Sequence, residues 1–309
     1  MELVRGLYNL RALQRGCVVT IGNYDGIHLG HQEMLRTVRL RAAERGVPAT
    51  VLSFEPTPRE YFAKDGAARL TRFREKFDAL AQFGIERFVC LKFDERMRSI
   101  APESFIDDVL LGALGARHIV VGHDFRFARA RQGNIDMLGA WSARGSFGLD
   151  VVPPLMLDGE RVSSSLVRAT LAQGDMVKAA QLLGRPYRMS GKVVGGAKLG
   201  RKLGFPTANI QLHRRVTPIQ GIFAARVTGA GLVDAPAVTN LGTRPVVNGT
   251  EPLLEAHVFD FDGDLYGRYL HVDFIERLRD ETNFPNLDAL VVQMNDDARR
   301  ARAVLADAR

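Results

Sequence analysis

The chain has 309 residues, a length that favours two domains over a single hydrophobic core. Apolar residues make up 46% and charged residues 25%, which is ordinary for a globular protein and excludes disorder on a large scale. The net charge is +7, but the basic residues are spread along the chain without a nucleic-acid-binding motif, so we expect no nucleic-acid partner.

The sequence also bears on the compartment. Its first residues lack the charged lead and long apolar core of a signal peptide, and no apolar run approaches the about 20 residues of a membrane span. Cys17 and Cys90 both lie in apolar, strand-like runs, which favours two reduced core thiols over a disulfide or a metal site. We therefore expect a cytoplasmic protein with no membrane partner.

Short apolar runs alternate with helical patterns in the first half of the chain. The predicted strands are 18–21, 49–54, 87–93 and 118–122, and the predicted helices are 32–45, 72–82, 102–114 and 134–144. Such alternation predicts a parallel sheet with helices on both faces. Ligands of these folds bind at the carboxyl ends of the strands, so a site is expected along that edge.

The turn after the first of these strands, 22–31, holds three glycines and the pair His28 and His31. It leads into the helix predicted from about Gln32, whose N-terminus offers unpaired N–H groups and a positive dipole end. The glycines allow close approach of the backbone, and the imidazoles could hydrogen-bond a phosphate. A phosphate site is one reading; an ordinary strand–helix turn is the alternative for an isolated histidine pair.

Three further segments follow predicted strands or open a helix. They are 53–58, with two prolines; 121–127, with Asp124; and 163–168, with three serines before Arg168. The serines alone would be read as a helix cap. Arg168, a few residues into that helix, could also reach a phosphate bound at its N-terminus.

The second half of the chain changes in character at 183–186, where a glycine ends a helical pattern and a proline follows. The predicted strands beyond it are 189–194, 221–228, 234–240, 254–261 and 269–274. Their regular spacing predicts a small antiparallel barrel, and apolar residues at helical spacing over 287–305 predict a terminal helix packed on it. The predicted domains are therefore 1–185 and 186–309.

The barrel half contains a glycine-rich basic loop, 195–204, followed by the tetrapeptide 206–209. Alone, the loop is read more readily as a flexible turn than as a phosphate cradle. Thr207 and Asn209, however, are neutral oxygen donors two positions apart on one strand face, which suits magnesium held together with substrate phosphates.

Glu255 lies in an apolar strand, where an unpaired carboxylate would be costly, so we expect it to have a role. His257 shares its strand face and is interpreted as structural. Arg279 is a candidate for a ligand-side loop, with a surface salt bridge to Asp280 or Glu281 as the alternative.

The four segments of the first half, in their order, resemble the HxGH nucleotidyltransferase superfamily and in particular the adenylyltransferase half of the bacterial bifunctional riboflavin kinase/FAD synthetase family. The resemblance covers 14–184 and implies a Rossmann-like domain in which the FMN phosphate attacks the α-phosphorus of ATP, giving FAD and pyrophosphate. It implies that His28, His31 and Arg168 are catalytic. The implied ATP-binding residues here are Gly22, Asn23, Asp25, Gly26, His28, His31, Ser164, Ser165 and Arg168.

The second half, with 191–209, 240–245, 254–260 and 278–284, resembles the riboflavin kinase part of the same family over 185 to 300. The resemblance implies that Glu255 is the general base for phosphorylation of riboflavin, with Mg²⁺ held by Thr207 and Asn209. The ATP-binding residues implied here are Gly195, Lys198, Gly200, Thr207 and Asn209. The flavin-binding residues implied over both halves are Asp124, Phe62, Arg279 and Phe284.

Four positions depart from the family pattern. Thr57 stands where the family often has His, Ala128 where it often has Gly, Ser165 where it often has Thr, and Val246 where Thr is usual. Ser165 keeps the hydroxyl. None of the four removes a proposed catalytic group.

The expected function is a bifunctional enzyme that makes FMN from riboflavin and FAD from FMN. Its expected ligands are riboflavin, FMN, FAD, ATP, ADP and pyrophosphate, with Mg²⁺ as cofactor, and it is expected to be a monomer or weak homo-oligomer. Two alternatives remain: a flavin- or nucleotide-binding regulator with dead sites, and a related nucleotidyltransferase with another acceptor. The presence of all expected catalytic residues speaks against the first, and the Thr207 and Glu255 segments speak against the second.

Overall fold

The computed structural model describes residues 1–63, 68–196, 200, 203–246 and 249–307. The chain forms two compact units. The first comprises 1–67 and 72–163, and the second comprises 68–71 and 164–309.

The first unit contains a six-stranded parallel sheet. Its strands are β1 (Glu2–Arg5), β2 (Cys17–Ile21), β3 (Ala49–Glu55), β4 (Arg87–Lys92), β5 (Ala116–Gly122) and β6 (Gly148–Val152), in the order β1-β4-β3-β2-β5-β6. Its helices are α1 (Leu29–Arg45), α2 (Pro58–Phe62), α3 (Phe73–Gln82), α4 (Glu95–Ser99), α5 (Pro102–Ser104), which continues as a π-helix over Phe105–Ala113, and α6 (Ile135–Ala143). A short hairpin, β7 (Met156–Leu157) and β8 (Glu160–Arg161), completes the unit.

Both faces of the sheet are buried, which explains its nearly continuous apolar strands. All five residues of β2 are buried. Successive residues contribute to different cores: Val19 packs with the π-helix and α6, whereas Val18 packs with α1 and α3. The carboxyl ends of β2 and β5 are therefore fixed on a rigid support, at the edge where the loops 22–28 and 123–128 begin.

The second unit contains two short helices and a closed barrel. The helices are α7 (Ser164–Ala172) and α8 (Met176–Leu183). The barrel strands are β9 (Tyr187–Val194), β10 (Ala208–Gln211), β11 (Gly221–Gly229), β12 (Leu232–Val246), β13 (Gly249–Val258) and β14 (Tyr269–Arg279), in the order β10-β13-β12-β11-β14-β9. All pairs of neighbouring strands are antiparallel.

The last described element is helix α9 (Leu287–Asp307), which packs on the outside of the barrel. Ala301 and Leu305 of the helix join Ile222, Ala224 and Leu278 of the strands in one apolar cluster. The interior of the barrel is filled separately, by rings such as Phe223 and Phe274, whose centroids are 5.1 Å apart. Helix α9 therefore covers residues of β11, β12 and β14, and it lines a cavity together with residues of β11, β12, β13 and β14.

The predicted fold class is confirmed, with differences in single elements. The strands β1, β6, β7 and β8 were not predicted, and most of the predicted helix 102–114 is a π-helix. Thr207 and Asn209 were expected on one strand face, but β10 begins at Ala208, so only Asn209 lies in the strand. Helix α1 begins at Leu29, so His31 lies in its first turn and not in the preceding loop. The predicted boundary at 185/186 groups α7 and α8 with the sheet, whereas the compact units group them with the barrel; the domain bounds stay a prediction.

No helix in the part of the chain that the structure describes is long and apolar enough to cross a membrane.

Candidate active sites

The loop 22–28 shapes the first candidate site. Gly26 has φ 88°, and two larger residues, Tyr24 and Ile27, are also held at positive φ while fully buried. A left-handed conformation is costly for such side chains, and burial of both offsets that cost. A side chain at Gly22 would meet the Tyr24 ring at 3.2 Å. The loop is therefore held by its own buried aromatic ring.

His28 is the N-cap of α1, where its Nδ1 accepts a hydrogen bond from the backbone N–H of His31 at 3.4 Å. The two imidazoles stack, with centroids 3.7 Å apart and an angle of 20° between the planes. Since Nδ1 of His28 is an acceptor, the proton of its neutral ring lies on Nε2. The pair predicted from sequence is thus brought together at a helix N-terminus.

His31 is partly buried as a residue, and its Nδ1 atom is shielded from solvent. Burial holds the pKa of His31 well below its ordinary value, and the charges of His28 and Lys76 lower it further. Among the described residues its Nδ1 has no hydrogen-bond partner. A neutral imidazole with an unsatisfied ring nitrogen has room for one more polar ligand atom.

The other residues predicted in this loop are placed differently. Asp25 is 8% exposed and Gly26 is buried, whereas Asn23 is exposed. The loop therefore presents Asn23 to solvent and keeps the Asp25 carboxylate inside.

Asp124, predicted on the flavin side, follows the carboxyl end of β5. Its carboxylate lies 2.7 Å from Arg161 NH2, and Arg161 belongs to the hairpin strand β8. Burial opposes ionisation, but the hydrogen bond and charge of Arg161 hold the pKa of Asp124 below its ordinary value. Sequence reasoning missed Arg161; its only signal was a lone basic residue two positions before the serine run.

Phe62, also predicted on the flavin side, ends helix α2 and is 62% exposed. It packs edge-on against Tyr61 and Phe93, with centroids 5.3 and 6.0 Å away. Thr57, one of the departures from the family pattern, caps this helix: its side chain accepts from the N–H of Glu60, whose carboxylate accepts from the N–H of Thr57. Thr57 therefore has a local structural role here.

Ser164, Ser165 and Arg168 lie in α7 and belong to the second compact unit, whereas His28 and His31 belong to the first. The guanidinium of Arg168 donates through Nε to the carbonyl of Ala68 at 2.8 Å and through NH1 to the carbonyl of Ser164 at 3.1 Å. Two N–H groups of Arg168, which is predicted to bind phosphate, thus donate to backbone carbonyls instead.

The second candidate site is a cavity of about 310 Å³ in the barrel unit. It brings together five residues predicted from sequence: Gly200, Thr207, Glu255, Arg279 and Phe284. Asn209 stands directly opposite Glu255 across β10 and β13 and is 9% exposed. Lys198 lies outside the described residues.

Glu255 is half-buried in the cavity wall. Burial raises the pKa of Glu255, a hydrogen bond from the Asn240 side chain lowers it, and the charge of Glu281 raises it, with a net upward shift. A carboxylate whose basicity is raised in a cavity is suited to accept a proton.

The ion-pair partner of Arg279 is not one of the two that the sequence suggested. It forms a bidentate ion pair with Asp297 of α9, at 2.9 and 2.7 Å, and not with the side chains of Asp280 or Glu281. It also lies over the ring of Phe284, 5.7 Å from the centroid. Sequence reasoning could not find this partner, because Asp297 lies on an amphipathic helix 18 residues away.

His257 donates through Nδ1 to the carbonyl of Pro206 at 2.9 Å and lies edge-on against Phe205. It therefore supports the segment that carries Thr207, in agreement with the structural role interpreted from sequence. The glycines behind that segment are close-packed: a side chain at Gly196 would lie 2.5 Å from Asn209 Nδ2, and one at Gly200 would lie 2.3 Å from the Phe205 carbonyl. A side chain at Gly195 would meet nothing within 4 Å.

A second cavity, of about 650 Å³, adjoins the first. Thr207 lines both. The far wall of the second cavity is formed by the loop 261–266, to which the sequence analysis assigned no role. Neither cavity wall holds a cluster of three or more His, Cys, Asp or Glu suited to a metal ion, and none occurs elsewhere among the described residues.

A parallel α/β unit with a histidine pair at a helix N-terminus, and a closed barrel with a basic carboxylate in a cavity, define a phosphate-transferring enzyme with two centres. Two family models match the chain, FAD synthetase over residues 10–166 and riboflavin kinase over 183–305.

Three curated relatives, each described as a bifunctional riboflavin kinase/FMN adenylyltransferase, match nearly the whole chain. The protein from Pseudomonas fluorescens is 46% identical over 99% of this chain and 98% of its own. Those from Haemophilus influenzae and Escherichia coli K12 are 43% and 42% identical, each over 98% of this chain and over 99% and 97% of their own. The chain belongs to the family of bifunctional riboflavin kinase/FMN adenylyltransferases.

A crystal structure from Streptococcus pneumoniae, described as a macrolide-efflux protein, is 28% identical. It covers 98% of this chain and 99% of its own with a TM-score of 0.85. It therefore shares the fold of both units.

Proposed function

We propose that this chain carries out the two reactions of its family at separate centres. Riboflavin is phosphorylated to FMN at the barrel cavity, and FMN is adenylylated to FAD, with release of pyrophosphate, at the histidine loop of the first unit. Both reactions take ATP as co-substrate.

The observation that carries the kinase assignment is Glu255, a half-buried carboxylate with a raised pKa in a cavity of about 310 Å³. Glu255 takes the proton of the riboflavin 5′-hydroxyl as that oxygen attacks the γ-phosphorus of ATP. The bond from the γ-phosphorus to the β,γ-bridging oxygen breaks, and ADP leaves.

The shared position of Thr207 supports a two-sided arrangement. We assign the cavity with Glu255, Arg279 and Phe284 to riboflavin and the cavity bounded by 261–266 to the nucleotide. Gly200 was expected to bind ATP, but it lines the first of these cavities and not the second. Thr207 then lies at the junction, where the transferred phosphoryl group must pass. Holding acceptor and donor in line across one residue supplies most of what phosphoryl transfer requires of a protein.

Thr207 and Asn209 would hold Mg²⁺ through a hydroxyl and an amide oxygen. Both are neutral ligands, which suits an ion that keeps several waters and takes the remaining ligands from substrate phosphates. Bound there, Mg²⁺ would neutralise charge on the transferring group. The close packing of Gly196 on the Asn209 amide supports this role, because it fixes the direction of that side chain.

For the second reaction, a phosphate oxygen of FMN attacks the α-phosphorus of ATP directly, and pyrophosphate leaves without a covalent intermediate. His28, through its Nε2–H, and the unsatisfied Nδ1 of His31 are assigned to ATP phosphates. Gly22, Asn23, Asp25 and Gly26 form the rest of the proposed ATP loop. Ser164, Ser165 and Arg168 are kept as proposed phosphate ligands on the resemblance to the family alone.

Phe62 and Asp124 are assigned to the FMN side of this reaction. An exposed ring fixed by Tyr61 and Phe93 offers a face on which a flavin ring could stack.

We also propose a cytoplasmic enzyme, monomeric or weakly oligomeric. The support for that compartment is that Cys17 and Cys90 are buried and outside any disulfide, and burial raises the pKa of Cys17 to about 11, which leaves it unreactive.

The test is to supply riboflavin, ATP and Mg²⁺ and to resolve the flavin products. Glu255→Gln should stop FMN formation while supplied FMN is still converted to FAD. His28→Asn, which retains a good helix cap but loses the imidazole, should let FMN accumulate without FAD. A folded wild-type chain that makes neither product would instead favour a flavin- or nucleotide-binding regulator.

A further inference from the structure

Residues 68–71 belong to the second compact unit although they lie between two helices of the first. The first unit comprises 1–67 and 72–163, so the chain enters the second unit for these four residues before α3 begins. The segment forms neither helix nor strand, yet Leu70 and Thr71 are 0% and 7% exposed. Because its carbonyls lie outside any helix or strand ladder, they need other hydrogen-bond donors.

Two buried side chains of the barrel supply donors to the middle of this segment. Arg214, which follows β10 and is 7% exposed, donates through NH1 to the carbonyl of Arg69 at 2.5 Å and through NH2 to that of Leu70 at 3.3 Å. The hydroxyl of Tyr187, the first residue of β9, donates to the same Leu70 carbonyl at 3.1 Å. Burial of a guanidinium and a phenol is costly unless both are hydrogen-bonded, so these contacts fix the path of the backbone.

Arg168 of α7 contacts the neighbouring peptide group. Its Nε donates to the Ala68 carbonyl at 2.8 Å, and its NH1 donates to the Ser164 carbonyl at 3.1 Å. Because the guanidinium is planar, these two bonds set its plane and the direction of its NH2 group. One acceptor lies in α7 itself, whereas the other lies in the segment that Arg214 and Tyr187 hold.

We propose that Arg214 and Tyr187 are positioning residues of the adenylylation reaction. They fix the peptide groups next to Ala68, and the Ala68 carbonyl in turn holds the guanidinium of Arg168 in the direction of the ATP phosphates. The inference rests on the proposed role of Arg168 as a phosphate ligand. It assigns to FAD formation two residues that lie within the match to riboflavin kinase and line neither of the two barrel cavities described above.

The experiment is the conversion of supplied FMN to FAD by Arg214→Met, which keeps much of the side-chain length but cannot donate. We expect KM for ATP to rise about tenfold, because a displaced guanidinium contacts phosphate less well, while KM for FMN changes by less than about twofold. A loss of stability alone would lower kcat through the folded fraction and leave both KM values in place. Arg214→Lys, which can still donate to a carbonyl, should recover part of the KM for ATP.

Two further variants test the route of the effect. Tyr187→Phe keeps the buried ring and removes one of the three hydrogen bonds to Arg69 and Leu70, so KM for ATP should rise less, by about threefold. In an Arg168→Ala background, Arg214→Met should not raise KM for ATP further, because both substitutions then affect the same contact.

Two controls separate this effect from misfolding. Riboflavin phosphorylation by Arg214→Met should be unchanged, since this reaction is assigned to the same compact unit and reports on its folding. Arg226→Met is the matched variant, because Arg226 also donates to two carbonyls of that unit, those of Asp234 at 3.2 Å and Leu305 at 2.7 Å, which lie outside the segment 68–71. It should leave both KM values of FAD formation unchanged.

An unchanged KM for ATP in Arg214→Met overturns the inference, as does an equal loss of riboflavin phosphorylation. A further rise in KM for ATP when Arg214→Met is added to Arg168→Ala also overturns it, because the effect would then not pass through Arg168. Failure of the proposed function gives a different result: Arg168→Ala by itself would leave KM for ATP in place.

Discussion

Ala128 has a backbone conformation, φ 61° and ψ −164°, that belongs essentially to glycine. The residue follows Phe127, which is buried in the core between the sheet and α6. The family often has glycine at position 128, so the strained backbone occurs where this sequence departs from the family pattern. The surrounding core must compensate for the strain.

We expect Ala128→Gly to raise the free energy of unfolding by about 1 kcal/mol, the released strain less the entropy cost of a glycine. Denaturant unfolding of the two proteins measures the difference. Ala43→Gly is the matched control: Ala43 is exposed in helix α1, where the same change should lower stability by up to about 1 kcal/mol. Equal loss of stability in both variants would contradict the strain.

Glu255 illustrates a second residue-scale effect, a cost in stability at a catalytic position. Because its pKa is raised in the folded state, the folded chain binds more protons than the unfolded chain between the usual glutamate pKa and the raised one. Stability contributed by this group therefore falls as the pH rises through that interval. Above it, the loss is about 1.4 kcal/mol for each unit of the shift.

Glu255→Gln should consequently be more stable than the wild type near pH 7, and the advantage should disappear as the pH falls below the usual glutamate range. Thermal unfolding of both proteins over pH 4 to 8 measures this difference in stability. It should reach about 1.4 kcal/mol for each unit by which the pKa of Glu255 is raised. A constant difference between the two proteins across that range would mean that titration of Glu255 is not its source.

At the scale of elements, helix α9 links the end of β14 to the cavity. The ion pair between Arg279 and Asp297 is largely buried, with side-chain exposures of 18% and 5%, and Gln293 donates to the same carboxylate at 3.0 Å. Removal of one partner from a buried pair leaves an uncompensated charge. The position of Arg279 in the cavity therefore depends on the terminal helix.

We expect Asp297→Asn to raise KM for riboflavin about tenfold and to lower barrel stability by about 2 kcal/mol, because Arg279 loses its charged partner. Steady-state kinetics and thermal unfolding measure both. Asp260→Asn is the control, since Asp260 forms an exposed bidentate pair with Arg302 of the same helix and should change little. Similar KM values for the two variants would exclude a cavity role for the α9 pair.

Long, strongly periodic elements could be predicted from sequence, and short or polar ones could not. Helices α3 and α6 and strand β3 lie within a residue or two of their predicted bounds. Strand β1 has four residues at the sheet edge, and β7 has two, so neither shows a clear period of two. Helix α1 begins earlier than predicted because a histidine serves as its cap, which propensity alone does not favour.

The residues of the candidate sites likewise include some that could be predicted from sequence and some that could not. Glycines, histidines and the Glu255 strand were identified because their residue types are unusual in those contexts. Arg161 and Asp297 were missed, since each acts through a long-range partner that only the fold brings near. A lone polar residue on a strand or helix carries no signal until its neighbour is known.

At the scale of the whole molecule, the catalytic groups assigned to the two reactions are not shared: Glu255 lies in the second compact unit and His28 in the first. If the centres work independently, a chain with one dead centre still completes the other reaction. We therefore expect an equimolar mixture of Glu255→Gln and His28→Asn to make FAD from riboflavin, although neither variant does so alone. FMN made by His28→Asn must be released and rebound, so FAD should appear after a lag that shortens as protein concentration rises. Resolving FMN and FAD over time measures this. A mixture that accumulates FMN without FAD would mean that adenylylation requires an intact kinase centre on the same chain.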